Sequence, residues 1–430
     1  MNLFFLKKRK MNLFKILRSS DDDYLEDLLM LYLASTESKR KKGSTLRGCN
    51  KTTSVNRSRS KRRSTYSNGN IILVALSKPF FPLFLKYMDV GYCYLDGNAD
   101  AVEFCPHDSY HHVLAAATYT LKEGDQPSRS GSISLFNVDA DAGRLDLFHR
   151  VDTAGVFDIK WSPVGGDHSH PLLAQADADG CLRIHSFDGC TIREISGENL
   201  SSSMCLCLDW NPSATSISVG LSDGSVSLVL LADSQLKKLQ EWKAHDFEVW
   251  ATSFDIHNPH LVYTGSDDCK FSCWDIRDSP SKLAFQNSRV HHMGVCCIAK
   301  SPSDSNTVLT GSYDENLRVW DVRSISKPIN EASISLGGGV WRIKYHPVVP
   351  DLVLAACMHN GFAVVKANGE KAEVVETYSK NKHSSLAYGA DWQRRGSLQD
   401  SKRKRSVVAT CSFYDRLVRI WMPKYVDDGK

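Results

Sequence analysis

From residue 96 to residue 423 apolar and polar side chains alternate in short runs, and the runs come round seven times. Each copy opens with a run that ends in an aromatic residue and often a Pro turn. A second run of small residues, a tight turn containing Asp, and a third run ending at a fixed ruler position follow. Alternation of this kind puts every second side chain on one face, which is the signature of a strand. The opening runs are 101–106, 156–163, 205–212, 249–259, 295–302, 340–347 and 387–392. The clearest copies are GSDDCKFSCWDIR (265–277) and GSYDENLRVWDVR (311–323). With their Trp as the ruler, the equivalent positions are Phe136, His185, Val229, Trp274, Trp320, Lys366 and Trp421, spaced by 49, 44, 45, 46, 46 and 55 residues. The pattern predicts one four-stranded antiparallel sheet per copy. The stretch 91–95 precedes the first full copy and is expected to supply the outer strand of the last sheet. Pairing the two ends of the chain in this way closes a ring and protects its sheet edges.

A period of about 40 to 45 residues with a Trp-Asp signature resembles the WD40 repeat. The expectation is therefore an all-β, seven-bladed WD40 β-propeller over 88–423, with a basic, mostly disordered extension over 1–87 and a short tail over 424–430. Residues 36–70 are rich in Ser, Thr, Lys and Arg with few large apolar side chains, too little to offset chain entropy. Residues 24–34 have helical apolar spacing after Ser20 and the acidic run 21–23, which predicts a short helix. Because 88 onward accommodates the whole repeat, residues 1–87 are expected to be dispensable. The net charge of +4 conceals about +11 on residues 1–70 and about −7 on the rest. The basic clusters 39–42 and 61–63 suit a nuclear address or RNA, and with the insert 401–405 they admit an RNA-processing scaffold. No aromatic residues interleave with the charges to stack on bases, so nucleic acid is not the expected partner.

Thirteen cysteines at irregular spacing, without a Cys-x-x-Cys, read as free thiols of a reducing compartment, and a cytoplasmic location is expected. The amino-terminal charges follow rather than precede the first apolar residues, unlike a secretory signal. The longest apolar run, 71–85, contains Lys78, Pro79 and Pro82 and falls short of a membrane span. There is no metal-ligand spacing, and no cofactor is expected.

Six residues before the ruler position stand Asp179, Asp223, Asp268, Asp314 and Asp415, with Asn360 in the sixth copy. His245, His291 and His383 precede the first-strand Val, or its equivalent, by four residues. The WD40 resemblance implies that these Asp and His residues form a buried hydrogen-bond network with the Trp. They are expected to brace turns and not to act as a catalytic dyad.

Departures from the repeat carry more information about function than the repeat does. The segments GGGVWRIKYHP (337–347), SLAYGADW (385–392) and CSFYDRLVRIW (411–421), with the opening LDGNADAVEFCPH (95–107), are similar to the diphthine methyl esterase family, also called diphthine methyltransferase. The likeness spans roughly 88–423. It implies hydrolysis of the methyl ester of methylated diphthine, a modified histidine on translation elongation factor 2, during diphthamide biosynthesis. Diphthine carries a trimethylammonium group, which aromatic faces attract. One residue after the first-strand Val or its equivalent come Phe157, Trp250, Trp341 and Tyr388, and quasi-symmetry is expected to gather these with Tyr414 as a substrate-binding rim. Packing between blades is the alternative role for each.

Ester hydrolysis needs a nucleophile or activated water, a base, and donors for the oxyanion. No Gly-x-Ser-x-Gly elbow is present. The candidates are Ser384, Ser385, Ser412 or Cys411 as nucleophile, His359 or His383 as base, and the amides of 337–339 as oxyanion donors. A non-enzymatic alternative rests on WDIR (274–277) and WDVR (320–323), which resemble the WDxR motif of substrate receptors for cullin-based ubiquitin ligases. It assigns adaptor binding to Arg277 and Arg323, or a general scaffold role to the ring.

Overall fold

The computed structural model describes residues 88–123, 128–166, 168–369, 371–378, 383–394 and 406–424. The expectations for the helix at 24–34, the disordered stretch 36–70, the basic clusters and the insert 401–405 lie outside the described residues. Seven four-stranded antiparallel sheets follow one another along the chain. The innermost strand of each packs against those of its two neighbours, the last against the first, so the sheets are blades of a closed propeller. We number them in chain order from the blade that begins at Asn98. Among the described residues the only helical element is a 3-10 turn at Asp108–Tyr110.

The innermost strands run Asn98–Phe104, Val156–Trp161, Cys205–Trp210, Val249–Phe254, Val295–Lys300, Arg342–Tyr345 and Ala387–Trp392. Six of them stop short of the Pro expected to end them, because Pro offers no N–H to the ladder. The first strand starts three residues earlier than the sequence pattern suggested, which brings Asp100 into the strand, at the step where the register slips.

Burial follows from the ring. Seven apolar clusters exist, and each lies between two consecutive blades: one joins Val102 and Phe136 to Cys411 and Ile420, another Tyr263 and Phe271 to Val308 and Trp320. Among the described residues there is no central core. Trp320 and Trp421 are fully buried in such wedges, and truncating either to Ala would cost about 3–5 kcal/mol.

Near the axis the seams are polar. Asp391 Oδ2 accepts Phe104 N–H at 2.8 Å, Glu103 Oε2 accepts Trp161 N–H at 2.8 Å, Asp158 Oδ2 accepts Leu208 N–H at 3.2 Å, and Asp209 Oδ2 accepts Phe254 N–H at 2.8 Å. Indole N–H groups add a second stitch: Trp161, Trp210 and Trp392 donate to the carbonyls of Glu103, Lys160 and Lys344 in the preceding blade.

The ring closes through the outer strand of blade 7, Met88–Tyr94, which pairs antiparallel with Leu417–Met422 from Met88 against Met422 to Tyr94 against Leu417. Tyr378 of blade 6 donates its hydroxyl to Asp89 on that strand and stacks on Trp421 with ring centroids 4.1 Å apart. A chain beginning at Met88 is expected to melt with the full-length protein. A chain beginning at Leu95 loses the closing ladder, several hydrogen bonds of about 1 kcal/mol each, and is expected to melt at least about 10 °C lower by circular dichroism. Equal melting of the two would show that this strand does not carry closure.

Candidate functional site

Every innermost strand is irregular at the same place. Ladder register slips across Asp100, Phe157, Leu206, Trp250 and Cys296 in blades 1 to 5 and across Tyr388-Gly389 in blade 7. In blade 6, Trp341 N–H and the register partner of Arg342 both fall on Ala356, so Trp341 fills the equivalent place. A bulge re-aims its side chain. Repeated round a ring, it turns seven residues toward one mouth of the channel.

Four of the seven are the aromatics singled out from sequence, and the structure brings them together. Trp341 stacks on Tyr388 at 4.7 Å and meets Trp250 at 5.4 Å. Phe413 lies 5.1 Å from Tyr388 and 5.0 Å from Tyr414. Tyr119 continues the series, 6.3 Å from Phe413 and 4.8 Å from Phe157. Tyr313 joins from blade 5, 5.8 Å from Trp341. The result is one arc of rings from Phe157 to Trp250. Phe157, Trp250 and Trp341 are half-buried, Tyr388 is buried, and Tyr414 is 40% exposed. Sequence reasoning missed Tyr119, Tyr313 and Phe413. Two of these were readable: Tyr313 stands in the turn where the preceding copy has Asp267, and Phe413 lies in the lengthened turn before Asp415.

Asp100 is the acidic member of the bulge set. It is 4% exposed, and its Oδ1 has no hydrogen-bond partner among the described residues. Burial pushes its carboxyl up to about 8, with Arg342 pulling it down and Asp158 pushing it up. Arg342 holds Asp158 at 3.0 Å. One turn of the strand further along the channel, Lys344 meets Glu103 at 2.8 Å and Asp391 at 3.7 Å, while Lys160 meets Asp209 at 2.7 Å. Trp250, Asp158, Arg342 and these lysines border a channel cavity of about 450 Å³.

The nucleophile and base candidates fare differently. His383 Nδ1 lies 2.6 Å from Ser412 Oγ, its Nε2 lies 3.0 Å from Thr410 Oγ1, and Trp421 Nε1 donates to the same Thr oxygen at 3.2 Å. Ser412 donates to Asp415 at 2.5 Å. With that proton committed, Ser412 accepts from His383, the reverse of base activation. Both residues are buried, so they brace the turn instead of facing a substrate. The same device recurs in blade 4, where His245 joins Asp268 at 3.1 Å and Thr264 at 2.7 Å, with Trp274 on Thr264. In blade 5 Arg318 enters between His291 and Asp314. Cys411 is buried with its thiol pushed well up by that burial. Ser384 is exposed and gives its N–H and hydroxyl to Asp415, while Ser385 Oγ accepts Tyr414 N–H at 2.9 Å. His359 is exposed in the turn of blade 6. A Cβ at Gly338 would stand 2.2 Å from Cys357 O, so this glycine is needed for close approach to that turn. Arg277 and Arg323 project from the ends of blades 4 and 5 and bind their own Asp275 and Asp321. Of the metal-type side chains, no group able to hold an ion is clustered among the described residues.

The folded ring and its turn networks define a WD40-repeat propeller, and the family model for the WD domain, G-beta repeat, matches residues 236–275 and 285–321. A chain of the crystal structure of the mitotic checkpoint complex superimposes with a TM-score of 0.59 at 15% identity, covering 83% of this chain and 99% of that one, a likeness of fold. In sequence, the protein is 31% identical to the diphthine methyltransferase homolog of Dictyostelium discoideum over 77% of this chain and 98% of the relative. It is 35% identical to the diphthine methyltransferase of Homo sapiens over 69% of this chain and 72% of the relative. The chain belongs to the diphthine methyltransferase family.

The buried histidines of the turn networks, with His185 at the ruler position of blade 2 bonded to Gln175, carry an acid-stability signature. Burial lowers His185 to about 4 and His291 and His383 to about 3. All three stay neutral in the fold while the unfolded chain protonates near 6.5, so their stability is complete above that pH and is lost as pH falls toward 3 to 4. Between pH 6.5 and 5 each imidazole should cost about 2 kcal/mol. Denaturant titrations across this window are expected to show that loss, and the His383→Gln variant should have a shallower pH slope than the wild type.

Proposed function

We propose that the protein hydrolyses the methyl ester of methylated diphthine on translation elongation factor 2, as a step of diphthamide biosynthesis. The observation that carries this is the arc of aromatic rings at one mouth, which suits the trimethylammonium group of that side chain. A quaternary ammonium gains about 0.5–1 kcal/mol from each exposed ring and about 2 or more from a desolvated one. A ring of loops on a rigid scaffold also suits a modified side chain presented by another protein, which enters tip first. Family membership supports a role in diphthamide biosynthesis, since the named relatives are diphthine methyltransferases.

Trp341 and Tyr388 sit centrally in the arc, each touching at least two other rings. Trp341→Ala and Tyr388→Ala are each expected to raise KM for methyl-ester-bearing elongation factor 2 about tenfold, the equivalent of one ring lost. Methanol release measures turnover, and a thermal melt checks the fold. Unchanged kinetics in both variants would remove the basis for an aromatic site.

A further inference from the structure

Four carboxylates on the innermost strands share one arrangement. Asp158, Asp209, Glu103 and Asp391 each give one oxygen to a backbone N–H of the next blade and the other to a cation: Asp158 and Glu103 to Arg342 and Lys344 of blade 6, Asp209 and Asp391 to Lys160 and Lys344 of the blade before them. Asp100 breaks the pattern. It stands at the bulge, at the mouth end of the strand, flanked in the ring by the bulge residues Tyr388 and Phe157. It stitches no seam, and its Oδ1 is buried without a partner among the described residues. A buried carboxyl left unsatisfied costs free energy that a purely structural role would not repay. The charges of Arg342 and Asp158 act on it, and its own charge acts on Tyr313 and Cys411. Arg342 in turn lines the channel cavity with Trp250, and its ion-pair partner among the described residues is Asp158.

We propose that Asp100 is the general base and Arg342 the oxyanion donor of the ester hydrolysis, which places the reacting carbonyl beside the aromatic arc. This rests on the ester-hydrolase reading above. Asp100 takes a proton from a water molecule as the water oxygen bonds to the ester carbonyl carbon. The carbonyl oxygen becomes an oxyanion held by the guanidinium of Arg342. When the intermediate collapses, the carbon–methoxy bond breaks and Asp100 returns the proton to the leaving oxygen. The products are methanol and the free carboxylic acid, whose proton passes to solvent. No further reactant is required. A base held near neutral pH by burial is suited to this step, and the aromatic arc positions the ammonium on the same modified side chain.

The test uses the full-length chain and elongation factor 2 carrying methylated diphthine, with methanol release as the readout. Wild-type kcat/KM should rise with pH and level off near 8, the value to which burial moves Asp100. Asp100→Asn is isosteric and neutral, so it should fold and melt at or above the wild-type temperature. Its kcat should fall at least about 100-fold with KM little changed, and the rising pH limb should vanish. Arg342→Lys keeps the charge opposite Asp158 but loses the planar fork, and should lower kcat at least about tenfold. Wild-type kcat in Asp100→Asn, or a rise in KM alone, overturns the assignment and leaves the aromatic site standing. Impaired Asp100→Asn with an unaltered pH profile also overturns it. No methanol from the wild-type protein overturns both this assignment and the proposed function.

Discussion

The constraint on which the structure depends is the seam between blades. A propeller has no common core, so each blade must be fixed to its neighbour locally, by an apolar wedge and by groups near the axis. The carboxylates of Glu103, Asp158, Asp209 and Asp391 do this with one oxygen, while the other oxygen meets a cation projecting into the channel. A carboxylate satisfied from two sides is cheap to bury. Because Glu103, Asp209 and Asp391 stand three residues beyond the bulge and Asp158 one, seam geometry also sets where the bulge residues point. The mouth is a consequence of how the ring is stitched.

The same dependence explains why catalytic-looking residues turn out to be structural. His383, Ser412 and Asp415 have the chemical identities of a hydrolase triad. Their hydrogen bonds run the wrong way for one, because Ser412 donates to Asp415, and Thr410 and Trp421 occupy the other side of the imidazole. Blade 4 achieves the same bracing with a direct His245–Asp268 contact and no serine. Blade 7 has a longer turn, and Ser412 fills the added distance. Three blades thus build one local network from different side chains, which is how a structural device varies; a reacting triad would be confined to one.

Much of this was legible in the sequence. The seven copies, the closing strand near residue 91 and the convergence of Phe157, Trp250, Trp341 and Tyr388 follow from period and alternation, which are local properties of a strand. Asp100 was not, because the first strand was framed from Ala101; with the strand taken from Asn98, Asp100 falls one residue after Ala99, in line with the other bulge residues. Tyr313 and Phe413 are marked in the sequence only as departures from the repeat in their turns, and Tyr119 not at all; the three-dimensional angle between blades decides that all three meet the bulge residues. Arg342 reads in sequence as one more alternating polar position; its pairing with Asp158 joins blade 6 to blade 2 across the channel, a relation no local pattern encodes.

A site that retains an unsatisfied buried carboxyl needs stability from elsewhere. Asp100 in its ionised form opposes folding, and so does keeping aromatic faces half exposed at a mouth. The ring tolerates both because its stability is distributed. Each wedge contains several fully buried large side chains, and each turn network rigidifies its own blade, so strain at one bulge is confined to one strand end. The six other bulge positions carry no acid, and the one that does lies in blade 1, beside the seam where Asp391 of blade 7 holds Phe104. The chain has placed its least favourable side chain next to the junction that closes the circle, where ladder pairing, indole stacking and a carboxylate stitch all hold the two ends together.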